Sequence, residues 1–383
     1  MTPKNAASEL TLFTSTAESF LRRDMPLSRV RDLHAEGISF TAEWWRHAAE
    51  LGWASLLVPD TLGGANLSGD GVKDLALLAT LTGRTVAPGP LHPVNVVLAG
   101  LCDAADAYRH SALIEALVAG EVVASWAVYE PAGASWSPLN PTVSATRVGT
   151  RYRIDGVKDR VEAADNSALL LVVTNCQGAP QQFLVPTDAP GVTVQSQRSI
   201  DLVKSYARVH FEGVEVDADN AVGTVEQTTA MIARQSQIAV VLQCAEMVGI
   251  LDTVLGFTIE WARDRHTFGR PLASYQALKH QFADMKIWLE ACNATTAAAV
   301  AAVGARAIVA DTAVSVAKSY VAEQAPKIIQ QCIQLHGGIG VTWEHDLHLY
   351  LRRVTLYRSM FGTPEEHNQR VYRLAGVSEG AAR

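Results

Sequence analysis

The chain has 383 residues, of which 48% are hydrophobic and 19% charged, which is enough apolar material for a sizeable core in two or three domains. Its formal net charge of -7 and its lack of any Lys/Arg run argue against a nucleic-acid partner, because phosphate backbones are bound by clustered basic side chains. The five cysteines are spread without metal-ligand spacing, which predicts reduced thiols in a cytoplasmic compartment and no metal site.

Residues 1–122 are predicted to form an α-helical domain. Apolar residues recur at helical spacing in "WWRHAAELGWASLLV" and "GVKDLALLATLTGRTV", and turn signals such as "PDTLGG" and "PGPLHP" separate the helical stretches. The first residues show neither the basic and apolar regions of a secretory signal nor an apolar span of about 20 residues. We therefore expect neither secretion nor membrane insertion.

Residues 123–225 change from helical spacing to short β-branched runs. The runs "ALLLVVT", "QQFLVP" and "GVTVQS" are separated by turn residues, which is typical of strands joined by short loops. This spacing predicts a β-sandwich or barrel of roughly 100 residues.

Residues 226–383 return to helical spacing, and the helices are long. Leu278, Phe282, Met285 and Leu289 form the apolar stripe of a bundle helix. The predicted fold is therefore α+β and multi-domain. It has an N-terminal helical domain, a central β-sandwich or barrel and a C-terminal four-helix bundle.

Two segments of the last domain combine glycine with arginine. "RDRHTFGR", residues 263–270, ends a helical stretch, where Gly269 is compatible with a left-handed helix cap. "QLHGGIG", residues 334–340, also follows a helix, and its paired glycines are compatible with a simple turn. Glycine also lets a backbone approach a diphosphate, and arginine pairs with phosphate oxygens. Each segment alone fits a structural role as well as a phosphate site.

In this order, behind a helical and then a β region, the segments resemble those of the acyl-CoA dehydrogenase family. Its members are flavoproteins that oxidise acyl-CoA thioesters to enoyl-CoA. The resemblance covers nearly the whole chain: "RDRHTFGRPLASYQ" and "QLHGGIGV" match two motifs closely, and "LGWASLLVPDTLGG", "AVYEPAGAS" and "IDGVKDRVEAAD" match three others in part. It implies the family fold, FAD as cofactor, an acyl-CoA substrate and an electron-transfer flavoprotein as electron acceptor.

The family mechanism needs a glutamate that removes the α-proton of the thioester while a hydride passes to the flavin. In register from Gly338 through Thr363, the position of this glutamate is taken by Phe361, which cannot accept a proton. In other members the base precedes an arginine on the first long helix, and these two positions are Ala239 and Val240 here. No catalytic residue is therefore assigned.

Three other carboxylates lie near these positions in sequence. Glu365 and Glu366 follow the turn, and Thr363 with Glu366 matches a capping box that starts a helix. Glu246 lies farther along the first long helix. It suits a carboxylate of the bundle or, as an alternative, a displaced base.

The family's flavin is shared between two subunits, and the two halves of this site differ in the present chain. The positions that hold the flavin ring carry Tyr129, Arg160, Val161 and Glu162, where a bulky phenol and a carboxylate would clash with the ring or repel it. The positions that contact the ADP half of the neighbour's FAD match the family: Arg265, Thr267, Phe268, Gln276, Gln334, Gly337 and Gly338. The resemblance thus implies a chain that completes a partner's cofactor site.

This pattern resembles the base-lacking subunit of actinobacterial heterotetrameric acyl-CoA dehydrogenases that act on steroid-CoA thioesters. The resemblance implies a homologous catalytic subunit as partner, two copies of each subunit, and a bulky steroid-derived acyl group. Three alternatives stay open: a self-sufficient homotetrameric dehydrogenase with a displaced base, a flavin monooxygenase or oxidase on the same fold, and a scaffold without flavin.

Overall fold

The computed structural model describes residues 3–131 and 136–376. These residues form two compact units, each assembled from several stretches of the chain. The first unit holds the described residues of Met1–Ser15, Arg31–Leu75 and Pro88–Ala239, and the second holds those of Thr16–Val30, Ala76–Ala87 and Val240–Arg383.

The N-terminal region is helical, as its apolar spacing predicts. Its helices are α1 (Pro3–Asp24), α2 (Leu27–Glu36), α3 (Ala42–Glu50), α4 (Gly71–Arg84), α5 (Leu91–Asp103) and α6 (Ser111–Val118). The start of α3 is set by Thr41, whose hydroxyl accepts a hydrogen bond from the Trp44 N–H at 3.2 Å. Every residue of α5 from Leu91 to Leu101 is buried, which explains why apolar residues lie all around this helix.

The β region forms one hydrogen-bonded sheet. Its strands are β1 (Ala124–Ala127), β2 (Ser144–Val148), β3 (Arg151–Glu162), β4 (Leu169–Cys176), β5 (Ala179–Pro186), β6 (Val192–Gln197), β7 (Tyr206–Asp217) and β8 (Ala221–Val222). They follow the order β6-β7-β3-β2-β4-β5-β8, and β1 pairs with β4 in parallel. Most neighbours along this path are antiparallel, as expected for strands joined by short turns.

The sheet curls around an apolar core. Phe183 of β5 and Val209 of β7 belong to the same buried cluster, although their strands are not hydrogen-bonded neighbours. Between Lys158 and Val161 the pairing of β3 with β7 shifts its register. Arg160 lies in this bulge with a φ of 48°. Because a bulge changes the direction in which a side chain points, the local backbone decides where Arg160 lies.

Long helices return after β8, as predicted. They are α7 (Val225–Asp264), α8 (Gln276–Gly304), α9 (Ala310–His336), α10 (Leu347–Ser359) and α11 (Pro364–Leu374). Met285 and Leu289 of the predicted apolar stripe are buried, whereas Leu278 and Phe282 are only half-buried. The first turns of α8 are therefore more exposed than their apolar spacing indicates.

Two of these helices, α7 and α8, are long and apolar enough to cross a membrane by length and composition alone. The apolar window of α7 is 89% buried within the protein, and that of α8 is 33% buried. This is weak evidence for a membrane span, because the core helix of a soluble protein passes the same test. The burial of α7 identifies it as a core helix.

The order of element types follows the prediction. The change from helix to strand falls between Val118 and Ala124, and the change back falls between Val222 and Val225. The division into domains at residues 1–122, 123–225 and 226–383 stays a prediction, since the two compact units divide the chain differently.

Candidate functional site

The first candidate segment forms a tight β-hairpin after α7. Helix α7 ends at Asp264, and β9 (His266–Thr267) then pairs with β10 (Arg270–Pro271). Phe268 and Gly269 form the two-residue turn, with φ angles of 52° and 80°. Gly269 therefore serves a hairpin turn, and the helix-cap role considered from the sequence is wrong.

The hairpin is held at the start of α8. The Tyr275 hydroxyl donates to the Thr267 carbonyl at 2.7 Å, and the Arg270 guanidinium lies 4.0 Å from the centre of the Tyr275 ring. Gln276 is the first residue of α8 and is exposed. The Phe268 ring at the hairpin tip is 94% exposed. The hairpin is thus anchored at its base and presents its tip outward.

The second candidate segment closes α9. Gln334 lies in its last turn and is exposed. Gly337 caps the helix with a φ of 67° and a ψ of -141°, a conformation that glycine alone adopts without strain. A Cβ built at Gly337 or at Gly338 would meet no atom within 4 Å. Open space therefore borders the backbone of both glycines.

Trp261 brings the two segments together. Its indole N–H donates to the Leu335 carbonyl at 3.3 Å, and its ring stacks on His336 with 5.2 Å between centroids and 17° between planes. The Arg265 guanidinium lies 5.9 Å from the Trp261 ring centre. Arg265 and Gly337 therefore lie at the same end of the helices. Sequence reasoning missed Trp261 and His336, and the available signal was an aromatic residue one helical turn before Arg265.

Phe361, the residue that the sequence resemblance places at the position of a catalytic glutamate, lies in a turn. Phe361 is half-buried with a φ of 56°, and its carbonyl accepts a hydrogen bond from Nε2 of His367 at 2.8 Å. Burial lowers the pKa of His367 to about 4, so its imidazole is neutral near pH 7. The Phe361 carbonyl is therefore bound by a neutral imidazole.

The two carboxylates beyond the turn serve the start of α11, as the capping box predicts. The Thr363 hydroxyl accepts from the Glu366 N–H at 3.3 Å, and a Glu366 carboxylate oxygen accepts from the Thr363 N–H at 2.8 Å. Glu365 pairs with Arg358 at 2.7 Å. Its own backbone N–H and the Thr363 side chain lower the pKa of Glu365 by hydrogen bonding. Glu366 therefore caps α11, and Glu365 pairs with an arginine of α10.

Glu246 is a core carboxylate, and its use as a displaced base does not fit the structure. It is 2% exposed. One carboxylate oxygen pairs with the Arg353 guanidinium, and the other accepts from the Tyr357 hydroxyl at 2.8 Å. Arg353 also donates to the carbonyls of Val86 and Ala87. A carboxylate held in this way links α7 to α10 instead of facing a substrate.

The side chains that the sequence resemblance assigns to the flavin-ring positions contact other side chains of this chain. The Tyr129 ring is 6% exposed. It packs on Trp136 with 4.9 Å between centroids, and the Arg160 guanidinium lies 4.5 Å from its centre. A carboxylate oxygen of Glu162 accepts from the Lys204 ammonium at 2.7 Å. Side chains of the chain itself therefore fill this region.

The backbone beneath Tyr129 is fixed by a buried lysine that sequence reasoning did not single out. The Lys158 ammonium donates to the Glu130 carboxylate and to the Val128 carbonyl. Burial lowers the pKa of Lys158 to about 8, against the opposing effect of Glu130. Val161 is 1% exposed in the sheet core. Residues 132–135 of the "AVYEPAGAS" motif lie outside the described residues.

Known proteins match this chain over most of its length. Residues 7–121 match the family model described as acyl-CoA dehydrogenase, N-terminal domain, and residues 232–375 match the model described as acyl-CoA dehydrogenase, C-terminal domain. The acyl-CoA dehydrogenase IpdE2 of Mycobacterium tuberculosis is 28% identical over 96% of each chain. These matches include both candidate segments.

Solved structures share the fold. A variant of the steroid acyl-CoA dehydrogenase Tcur3481-Tcur3483 is similar with a TM-score of 0.86 and 27% identity, over 99% of this chain and 100% of that one. Butyryl-CoA dehydrogenase from Megasphaera elsdenii superposes with a TM-score of 0.87 at 18% identity, over 96% of this chain and 97% of that one. On these matches and on its architecture, the chain belongs to the acyl-CoA dehydrogenase family.

Proposed function

We propose that this chain is the non-catalytic subunit of an FAD-dependent acyl-CoA dehydrogenase. It contacts the ADP half of a flavin whose ring and catalytic base belong to a homologous partner. The observation that carries the proposal is a contrast within the chain. The Tyr129 region is filled by its own side chains, whereas the backbone at Gly337 and Gly338 borders open space.

The end of the C-terminal helices fits the ADP half of FAD. Arg265 and Arg270 are both exposed and provide cations for a diphosphate. Gly337 and Gly338 let the backbone approach the ligand closely. The residues that would hold the ADP half are Arg265, Thr267, Phe268, Gln276, Gln334, Gly337 and Gly338. Bound FAD supplies the oxidant that accepts the substrate hydride, and these residues bind and orient it.

The sheet of this chain does not fit a flavin ring. A ring at these positions needs a flat cavity, but Tyr129 is buried there in contact with Trp136 and with the Arg160 guanidinium. Glu162 adds a carboxylate that is paired with Lys204. The isoalloxazine is therefore assigned to the partner subunit.

The partner also has to supply the proton acceptor. Phe361 is a hydrocarbon ring, Ala239 and Val240 are buried and apolar, and Glu246 is held by Arg353. General-base assistance is worth about 10²- to 10⁴-fold in rate. A chain without this group is expected to contribute binding and assembly, with the proton transfer performed by the partner.

The proposed substrate class is an acyl-CoA thioester with a bulky, steroid-derived acyl group. The similarity to the steroid acyl-CoA dehydrogenase Tcur3481-Tcur3483 over nearly the full length of both chains supports this class. The proposed partner is a homologous catalytic subunit in a complex with two copies of each chain, and an electron-transfer flavoprotein is the proposed electron acceptor.

The test compares the tagged chain purified alone with the chain co-purified from a host that expresses its partner. Flavin absorbance and dehydrogenase turnover with an artificial electron acceptor are measured for both preparations. We expect a colourless, inactive chain alone and a yellow, active complex, with a turnover difference of at least about 10²-fold. A yellow homotetramer that turns over acyl-CoA by itself would overturn the proposal.

A further inference from the structure

We propose that Trp261 and His336 are positioning residues that hold the two ADP-contacting segments in one arrangement. The inference rests on the proposed function and extends it to residues that no family match assigns to the cofactor. Neither side chain is proposed to touch FAD. Each is proposed to act through a neighbour, Trp261 through Arg265 and His336 through Gly337.

The first link runs from Trp261 to Arg265. The Arg265 N–H donates to the Trp261 carbonyl at 2.9 Å, which places the two residues one helical turn apart. The Arg265 guanidinium lies 5.9 Å from the centre of the indole ring. A cation held over an aromatic face explores fewer directions than a free arginine, so the indole orients the guanidinium towards one region.

The second link runs from Trp261 to the end of α9. The indole N–H donates to the Leu335 carbonyl, and the indole face stacks on His336, the last residue before Gly337. His336 is itself fixed, because its Nδ1–H donates to the Cys332 carbonyl at 2.8 Å. One indole therefore contacts both segments, by a hydrogen bond, a ring stack and a cation contact.

The stack is shielded by further aromatic rings. His345 meets His336 edge-on at 4.7 Å between centroids, and Phe257 meets it at 5.7 Å. Burial lowers the pKa of His336, so a neutral imidazole faces Trp261 near pH 7. A neutral ring stacks on the indole without repelling the Arg265 cation that lies near the same indole.

The test uses the co-purified complex after removal of its flavin, titrated with FAD and followed by flavin fluorescence. Trp261→Leu is expected to raise the dissociation constant of FAD about 10-fold, because a misplaced arginine loses part of its charge-assisted contact. Trp261→Phe keeps an aromatic face and should restore most of the affinity. Trp343→Leu is the matched control. Trp343 also stacks on a histidine, His348, with 4.5 Å between ring centroids and 20° between ring planes, but it is not part of the stack of Trp261 on His336.

A double-mutant cycle separates positioning from general stability. If Trp261 acts through Arg265, the double change Trp261→Leu with Arg265→Ala should weaken FAD binding no more than Arg265→Ala alone. The inference would be overturned if the two changes raised the dissociation constant of FAD independently, so that their factors multiplied in the double variant. It would also be overturned if Trp261→Leu and Trp343→Leu lowered the affinity for FAD equally. If Trp261→Leu fails to fold, His336→Asn removes the stack while keeping a donor for the Cys332 carbonyl. Its cycle is run with Gly337→Ala, because His336 is proposed to act through Gly337, and the double change should weaken FAD binding no more than Gly337→Ala alone.

The proposed function and this inference fail in different ways. If Arg265→Ala leaves FAD affinity unchanged, the ADP contacts themselves are wrong, and both proposals are overturned. If Arg265→Ala weakens binding but neither Trp261→Leu nor His336→Asn does, only the positioning role is overturned.

Discussion

The two regions that we propose as the counterparts of the family's cofactor site differ in the partners of their polar side chains. In the sheet, Arg160 lies over Tyr129 and Glu162 pairs with Lys204, so these groups are directed at neighbours in the same unit. At the end of the C-terminal helices, Arg265 is exposed and the Gly337 backbone borders open space. Burying a polar group without a hydrogen-bond partner costs free energy. Polar side chains in a filled region therefore pair with one another, whereas those on a ligand-binding surface stay accessible to the ligand.

The largest effect on stability is expected in the filled region. Lys204 is 4% exposed, and it bonds to Glu162 at 2.7 Å and to the Gly89 carbonyl at 3.3 Å. Lys204→Met leaves the Glu162 carboxylate, whose side chain is only 12% exposed, without its cation, which should cost about 3 kcal/mol in the free energy of unfolding. Denaturant unfolding of the isolated chain measures the loss.

The matched control is Arg151→Met. Arg151 pairs with Glu215 and Asp217 at the exposed surface, so its loss should change the free energy of unfolding far less than Lys204→Met does. If Lys204→Met removed FAD from the complex while stability stayed unchanged, the sheet would belong to the cofactor site and the comparison would fail.

The next effect is a loss of stability in acid through His367. Burial lowers its pKa from 6.5 to about 4. Between these values the unfolded chain binds a proton that the folded chain does not, so stability falls as the pH drops from 6.5 to 4. The full loss is about 3 kcal/mol, and it is absent above pH 6.5. Unfolding of wild type and His367→Gln across this range measures it.

The free energy of unfolding of His367→Gln should fall less between pH 6.5 and pH 4 than that of wild type, because glutamine does not bind a proton in this range. The exposed His266 provides the control, since His266→Gln should follow the wild-type pH profile. Identical profiles for wild type and His367→Gln would show that the turn at Phe361 does not depend on a neutral imidazole.

A binding effect is expected at the open end of the helices. Arg265→Ala in the complex should weaken FAD binding roughly ten- to a hundredfold, because a charge-assisted contact to the diphosphate is lost. The melting temperature of the apo chain should change little, since Arg265 is exposed. Arg263→Ala, which removes another exposed arginine of the same helix end, should leave FAD affinity near wild type. Equal losses in both variants would indicate general electrostatics instead of a specific contact.

The smallest effect is expected at Phe361. Phe361→Glu introduces a half-buried carboxylate and should cost about 1 to 3 kcal/mol of stability without any gain in turnover, alone or in the complex. Phe361→Gln, similar in size but uncharged, should cost less. Dehydrogenase activity gained by Phe361→Glu would mean that an intact flavin-ring site had lacked only its base.

Much of the fold could be predicted because its signals are local. Helical spacing, β-branched runs and the Thr363 capping box depend on neighbours a few residues apart, and the structure confirms all three. The hairpin at Phe268 was missed because its strands are only two residues long and begin just after a helix ends, where Gly269 also suits a helix cap. Whether an apolar stripe is buried depends on the packing partner, which explains why Leu278 and Phe282 are only half-buried.

The sequence by itself determined which residue types stand at the key positions: an apolar ring at residue 361, an arginine at 160, and the Arg265 and Gly337 segments. The tertiary structure decided what those residues do. It paired Glu246 with Arg353, placed Arg160 over Tyr129, and joined the segment of Arg265 to the end of α9 through Trp261. These pairings connect residues far apart in the chain, and they depend on burial and distance, which no local pattern of residue types contains.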